Sequence, residues 1–170
     1  DEVTGRDLVV SRVIVRYVME TVRKDIALLD RSGADAFEIL GLEKKVSADI
    51  HGARFFGVID RMDSLAPGMI RVVDYKSGSD APGVIAVSDG TADAAVTKIF
   101  DSQYKTRKDN KAALQFYIYD RMVMETERAG KEMIFNSLYS TSDLFRNTPS
   151  VYPLCGHFDE LMDERLKEIL

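Results

Sequence analysis

Two aspartates and a lysine lie near the ends of two apolar runs in this chain. The run FFGVID ends in Asp60, and the run MIRVVDYK contains Asp74 and Lys76. Charged side chains are seldom buried unless they are paired or bind a metal ion. Two carboxylates and a nearby backbone carbonyl are hard ligands of the kind that Mg²⁺ or Mn²⁺ prefers. A neighbouring ammonium group can stabilise charge on a phosphate, so the combination favours metal-assisted hydrolysis of a phosphodiester.

A structural explanation of the same residues is also open. The pattern D-x-K occurs often by chance, usually as a solvated ion pair that contributes well under about 1 kcal/mol. Residues two apart on a strand share a face, so Asp74 and Lys76 project side by side while Tyr75 points the other way. Their spacing is compatible with both a surface ion pair and a catalytic site.

A β-hairpin is expected to carry both aspartates. Residues 54–63 and 69–76 read as strands, and the Pro-Gly pair at 67–68 marks a turn between them. Asp60 then lies in the first arm and Asp74 in the second. If the register allows it, the two carboxylates are close enough to share one ion.

Helices and further strands surround this hairpin. Strands are expected at residues 37–50 and 132–140, and helices at 7–31, 111–129 and 158–170. The first helix is expected to pack through one apolar stripe, which consists of Val18, Val22, Ile26 and Leu29. Residues 77–110 read as a long connection without regular structure, of the kind that is usually functional or mobile.

The order α-β-β-β-α-β-α predicts an α/β fold with a mixed central sheet flanked by helices, in which the β-hairpin carries the site. With 170 residues and no internal repeat, residues 1–170 are most simply one domain. The opening DEVTGRD suggests a fragment of a longer polypeptide.

The composition excludes several classes of protein. It is 45% apolar and 30% charged, which is typical of an ordinary globular protein and not of a disordered one. No apolar run approaches the roughly 20 residues that span a bilayer, and no signal-peptide pattern opens the chain, so no membrane partner is expected. A single cysteine fits a reducing cytoplasm, which is the expected location. Cys155 is the only cysteine, which excludes an internal disulfide or an iron–sulfur cluster within this chain. The net charge of −5 argues against a broadly basic DNA-binding surface but leaves room for a local basic strip.

Three segments read together resemble a known family. GVIDRMD, VVDYKSG and LQFYIY, in this order, resemble the PD-(D/E)XK nuclease superfamily, and more narrowly the RecB/AddB-type nuclease domain at the C-terminus of bacterial helicase–nucleases. In that family a G-x-I-D strand precedes a D-Y-K-[ST]-G strand, and a Q-x-x-x-Y motif follows on a helix. The resemblance covers residues 40–125 well and implies a restriction-endonuclease-like core.

The resemblance implies roles for residues of the hairpin. Asp60 and Asp74 would be catalytic carboxylates that bind the metal ion, together with the backbone carbonyl of Tyr75. Lys76 would be the catalytic lysine.

Two helical residues would support the site. Gln115 and Tyr119 occupy the Q-x-x-x-Y positions, and their spacing puts both on one helix face. The resemblance implies that the amide contacts a phosphate and that the phenol holds the site. Ordinary helix packing, beside the apolar stripe of Leu114, Ile118 and Met122, is the alternative.

Several neighbouring residues have weaker claims. Asp63 reads either as a residue that supports the metal ligands or as a salt-bridge partner of Arg61. Glu43 reads as a solvated strand residue that could supplement the site, and His51 as a surface histidine, although an imidazole can ligate a metal. Cationic residues concentrate just before the Q-x-x-x-Y helix, where they either contact DNA or belong to a solvated loop. They are Lys98, Lys105, Arg107, Lys108 and Lys111.

The implied function is metal-dependent hydrolysis of DNA, of the exodeoxyribonuclease type, in DNA end processing and recombinational repair. The implied cofactor is Mg²⁺ or Mn²⁺, and the implied partners are DNA and helicase domains or a helicase subunit of the same complex. One alternative is a non-catalytic DNA-binding or scaffolding domain of such a complex. A more distant one is an unrelated hydrolase or binding protein. Relatives commonly carry a histidine ligand on a helix upstream of the first strand, whereas residues 1–36 contain none; either that helix was cut away or this member lacks the ligand.

Overall fold

The computed structural model describes residues 4–76, 88–100, 111–126, 133–141, 144–145 and 156–170. The helices are α1 (Gly5–Ser32), α2 (Ala92–Phe100), α3 (Lys111–Thr126) and α4 (Gly156–Ile169). The strands are β1 (Glu38–Ile50), β2 (Ala53–Ser64), β3 (Met69–Lys76) and β4 (Met133–Ser140). A short 3-10 helix, Asp89–Thr91, leads into α2.

The four strands form one mixed sheet in the order β1-β2-β3-β4. The pairs β1–β2 and β2–β3 are antiparallel, whereas β4 lies parallel to β3. The predicted hairpin of β2 and β3 is therefore confirmed, and so is the α/β class with a mixed sheet flanked by helices. The architecture is consistent with a restriction-endonuclease-like core.

The main core lies between the sheet and α3. The strand predicted at residues 37–50 is confirmed as β1, and its alternating residues Val46, Ala48 and Ile50 are all buried. They pack with Phe116 and Val123 of α3 in one hydrophobic cluster. A second cluster joins α2, α3 and α4, so α3 is held on both sides and its position relative to β3 is fixed.

Helix α1 presents a different face from the one predicted. Val18, Val22 and Ile26 of the expected packing stripe are about half exposed, whereas Asp25 and Leu28 are buried. The reason is that Asp25 pairs with buried arginines of the sheet, and this pairing sets the rotation of the helix. In the parts of the chain that the structure describes, no helix is both long and apolar enough to cross a membrane.

Part of the segment predicted to lack regular structure is helical. Within residues 77–110, residues 92–100 form α2, and the other described residues lead into it. Ala92, Ala95 and Val96 of this helix are buried, with Ile99 packed beside them. Their i, i+3, i+4, i+7 spacing is a helical signal that the surrounding Gly, Asp and Thr residues obscured.

Candidate active site

The site lies where β2 and β3 stop pairing. Their backbone ladder covers residues 61–63 of β2 and 71–73 of β3, so one further step sets Asp60 opposite Asp74. Directly opposed residues of an antiparallel pair share a face of the sheet. At this step Asp60 Oδ2 accepts a hydrogen bond of 2.7 Å from the backbone N–H of Tyr75. The two carboxylates thus come together where the strands begin to separate.

Asp74 is the buried member of this pair, with 3% of its surface exposed. Burial raises the pKa of Asp74 above its ordinary value, and the charge of Asp60 raises it further, although contacts with Lys76 and Gln115 oppose the shift. A raised pKa means that the contacts of the ionised form, including the one with Lys76, do not fully offset the cost of burial. An additional cation beside Asp74 would therefore be favoured.

Lys76 and Gln115 hold Asp74 from two sides. Lys76 Nζ donates hydrogen bonds to Asp74 Oδ1 at 3.1 Å and to Gln115 Oε1 at 2.9 Å. Gln115 Nε2 in turn donates to Asp74 Oδ1 at 2.8 Å. The ammonium group therefore has a fixed place beside the carboxylate, yet the Lys76 side chain is still 36% exposed and accessible to a ligand.

Tyr119 attaches this arrangement to β2. Its hydroxyl donates to the Val58 carbonyl at 2.9 Å and accepts from Gln115 Nε2 at 2.9 Å. A Cβ atom at Gly57 would come within 2.9 Å of the Tyr119 ring, so the glycine lets the ring approach the strand. Gln115 and Tyr119 thus hold the site together by hydrogen bonds, while Tyr119 also packs against the main core.

The point where β2 and β3 separate, beside Asp60 and Asp74, is called the fork. The oxygen acceptors at this fork fit a hard divalent cation. Asp74 Oδ2 is buried, and among the described residues its polar contact is the ion pair with Lys76 Nζ at 2.8 Å. Because the N–H and C=O of one strand residue point to the same edge, the Tyr75 carbonyl faces the side on which Asp60 lies. Two carboxylates and a carbonyl are suitable ligands for Mg²⁺ or Mn²⁺. Among the described residues, no three His, Cys, Asp or Glu side chains form a metal-binding group.

A buried ionic cluster lies on the opposite face of the sheet, toward α1. Arg71 donates two hydrogen bonds of 2.7 Å to Asp63, and Arg61 donates two to Asp25 at 2.8 and 2.9 Å. Although burial raises the pKa of Asp25, hydrogen bonds from Arg61 and Tyr139 bring it below its ordinary value. These ion pairs join α1 to the sheet. Asp25 is not among the residues that the sequence analysis singled out. Its only signal in the sequence is its position three residues before the apolar Leu28, on the same side of the helix.

The structure distinguishes between the other candidate residues near the site. The prediction that Asp63 pairs with Arg61 is confirmed, with 2.8 Å between Arg61 Nε and Asp63 Oδ2. Glu43 is exposed, in agreement with a solvated residue, although the β1–β2 register sets its backbone opposite Asp60. His51 is a surface residue at the β1–β2 turn, and its ring lies 3.1 Å from Asp163. About seven strand residues separate this turn from the fork, which corresponds to about 23 Å.

The predicted DNA-contacting residues are only partly described. Lys105, Arg107 and Lys108 lie outside the described residues. Lys111 is exposed and begins α3. Since it lies four residues before Gln115, it is on the same side of the helix, one turn away.

Fold and site together define a class of protein. A mixed sheet presents two carboxylates and a lysine at a strand fork, and a helix holds them with a Gln–Tyr pair; this arrangement suits metal-assisted cleavage of phosphodiesters. A family model of the PD-(D/E)XK nuclease superfamily matches residues 11–140. The chain belongs to this superfamily. Membership indicates nuclease activity in general, implies DNA as the substrate and, as in other nucleases of the superfamily, the use of divalent metal ions. A comparison with curated proteins found no match.

Proposed function

We propose that this chain is a metal-dependent exodeoxyribonuclease domain of the RecB/AddB type. It acts in the bacterial cytoplasm, beside helicase domains or a helicase subunit of one complex, in DNA end processing and recombinational repair. The observation that supports catalysis best is the buried Asp74 carboxylate, which lies opposite Asp60 and beside an accessible Lys76.

Each residue at the fork has a role in this proposal. Asp60, Asp74 and the Tyr75 carbonyl hold Mg²⁺ or Mn²⁺, which when bound supplies a Lewis acid and an activated water. Lys76 places its ammonium group against the phosphate, since Asp74 and Gln115 hold it there. Tyr119 positions Gln115 and needs no contact with the substrate.

The DNA strand is proposed to reach the site along the start of α3. Lys111 is exposed one helical turn before Gln115, and Lys105, Arg107 and Lys108 precede it in the sequence. In a chain with net charge −5 this local excess of cations is suited to phosphate contacts.

A non-catalytic DNA-binding or scaffolding domain is the second candidate. One feature of the site favours it. Lys76 Nζ lies 2.8 Å from Asp74 Oδ2 and can balance the charge of this carboxylate without a metal ion.

A cleavage assay separates the two candidates. Linear DNA is incubated with Mg²⁺, with Mn²⁺ or with EDTA, using this chain and a version extended upstream. We expect metal-dependent release of nucleotides from ends, no cleavage of circular DNA, and loss of cleavage in Asp60→Asn and Asp74→Asn. Asp49→Asn, at an exposed position of β1, is the matched control and should stay active. DNA binding without cleavage in either metal, by both versions, would establish the non-catalytic alternative.

A further inference from the structure

A groove opens on the face of β3 opposite to Asp74. It has a volume of about 540 Å³ and lies between α1 and the last residues of β3 and β4. Its size is in the range of about 300–1,000 Å³ that is usual for ligand sites. Lys76 lines this groove at the end of β3, and its side chain donates to Asp74 on the other face, so the groove and the candidate active site lie on either side of the same strand end.

Tyr75 offers this groove a fixed aromatic surface. Its side chain is 39% exposed, on the face opposite to its neighbours Asp74 and Lys76. Arg61 Nη1 donates a hydrogen bond to its hydroxyl at 2.9 Å, and the Tyr139 ring lies against it with centroids 5.3 Å apart. Because both contacts restrain the ring before any ligand binds, stacking on it costs little conformational entropy.

The remaining lining of the groove is mostly apolar or carries hydroxyl groups. Val18 and Val22 of α1 are 56% and 48% exposed, and both line it together with Thr21 and Thr141. The charged Asp25 at this surface is already paired with Arg61. Aromatic and apolar surfaces with hydroxyl groups suit a nucleobase, whereas a phosphate requires cations or free N–H donors.

We propose that this groove binds one unstacked nucleobase of the strand being cut, stacked on Tyr75, next to the phosphate held at Asp74 and Lys76. The inference rests on the proposed nuclease function and specifies its substrate. A base inside a duplex must leave the stack to enter such a groove, which costs free energy. The preferred substrate is therefore a single strand or a frayed end.

Equilibrium binding tests the groove without any need for cleavage. A labelled single-stranded oligonucleotide is compared by fluorescence anisotropy with an abasic strand of equal length and phosphate number, with no divalent ion added. Stacking of one base typically changes affinity roughly 5- to 150-fold, so we expect about tenfold preference for the intact strand. Tyr75→Ala should reduce the ratio to about one, whereas Tyr75→Phe, which keeps the ring, should retain it.

A second pair of variants covers the case in which Tyr75→Ala fails to fold. Val22→Gln alters the groove at an exposed helix position and should lower the preference, whereas Ile26→Gln, exposed one turn further along α1 and outside the groove, should not. Equal binding of both strands by the unmodified chain, an unchanged ratio in the folded Tyr75→Ala or Val22→Gln variant, or no binding of either strand would overturn the proposal.

The binding assay and the cleavage assay also fail independently. Metal-dependent cleavage without a preference for the intact strand would leave the nuclease function standing and overturn the base site. A preference for the intact strand that depends on Tyr75, in a chain that cleaves no DNA, would support the base site and overturn the nuclease function.

Discussion

Gln115 Nε2 donates a hydrogen bond of 2.8 Å to Asp74 Oδ1, across 41 residues of sequence. This contact joins α3 to β3 at the buried carboxylate of the candidate active site. The same amide accepts a hydrogen bond from Lys76 through Oε1, so one planar group fixes the positions of both a negative and a positive charge. The helix thereby controls the geometry and the charge state of the site.

Replacement of Gln115 with Ala should move the acid limb of the pH–rate profile to higher pH. Burial raises the pKa of Asp74, and the hydrogen bond from Gln115 is one of the contacts that lower it. Without this bond the pKa rises further, so Asp74 loses its charge at a higher pH and binds a cation less well. The profile of kcat/KM with Mg²⁺ measures the shift. Met124→Ala, at an exposed position of the same helix, should not move the limb; an unmoved limb in Gln115→Ala would show that the amide has a packing role only.

Asp74→Ala and Lys76→Ala should impair the protein in different ways. Asp74 is proposed to hold the ion, so its removal should abolish both metal binding and cleavage. Lys76 carries positive charge beside the same site, so its removal should leave metal binding intact or slightly tighter. Cleavage should nevertheless fall by about 10²–10³, because the phosphate loses an electrostatic partner. Calorimetry with Mn²⁺ and cleavage of linear DNA measure the two effects, and equal loss of metal binding in both variants would make Lys76 a structural residue.

Substitution of Lys105, Arg107 and Lys108 together by Ala should weaken the salt dependence of DNA binding. Each phosphate contact releases counterions, so the slope of log K against log salt scales with the number of contacts. Three lost contacts should reduce the slope by roughly two to three units. Titrations between low and moderate salt measure it. The control variant replaces Lys44 and Lys45 of β1 with Ala and so removes positive charge at another place. An unchanged slope in the triple variant would mean that the DNA binds elsewhere.

Asp120→Asn should stabilise the protein at and above neutral pH. Asp120 is buried in α3, where Asn136 Nδ2 donates to its Oδ2 at 2.9 Å, and burial raises the pKa of Asp120 to about 8. The folded state thus keeps a proton that the unfolded chain loses near pH 4, so this group contributes stability at low pH that is lost as the pH rises toward 8.

The free energy of unfolding of the unmodified chain is expected to fall by up to about 1.4 kcal/mol per pH unit between roughly pH 4 and pH 8. Urea unfolding at pH 5, 6, 7 and 8 measures it, and Asp120→Asn should have the flatter dependence because an amide does not titrate there. Asp30→Asn, at an exposed position of α1, should behave like the unmodified chain. Parallel curves for the unmodified chain and Asp120→Asn would contradict the assignment.

The sequence by itself determined the local parts of this protein. The Pro-Gly turn between two apolar runs predicted the hairpin that carries Asp60 and Asp74, and the four-residue spacing put Gln115 and Tyr119 on one helix face. These predictions held because turn chemistry and backbone periodicity depend on neighbouring residues only.

Only the tertiary structure decided which of these surfaces meet. Asp25 turns α1 toward Arg61 and away from its predicted apolar stripe, and the parallel strand β4 brings Tyr139 against Tyr75. Periodicity tells which residues share a face, whereas the partner of that face depends on strand order, register and long-range charge pairing. The meeting of Gln115 with Asp74, and the groove beside Tyr75, therefore follow from the assembled sheet and not from any one segment.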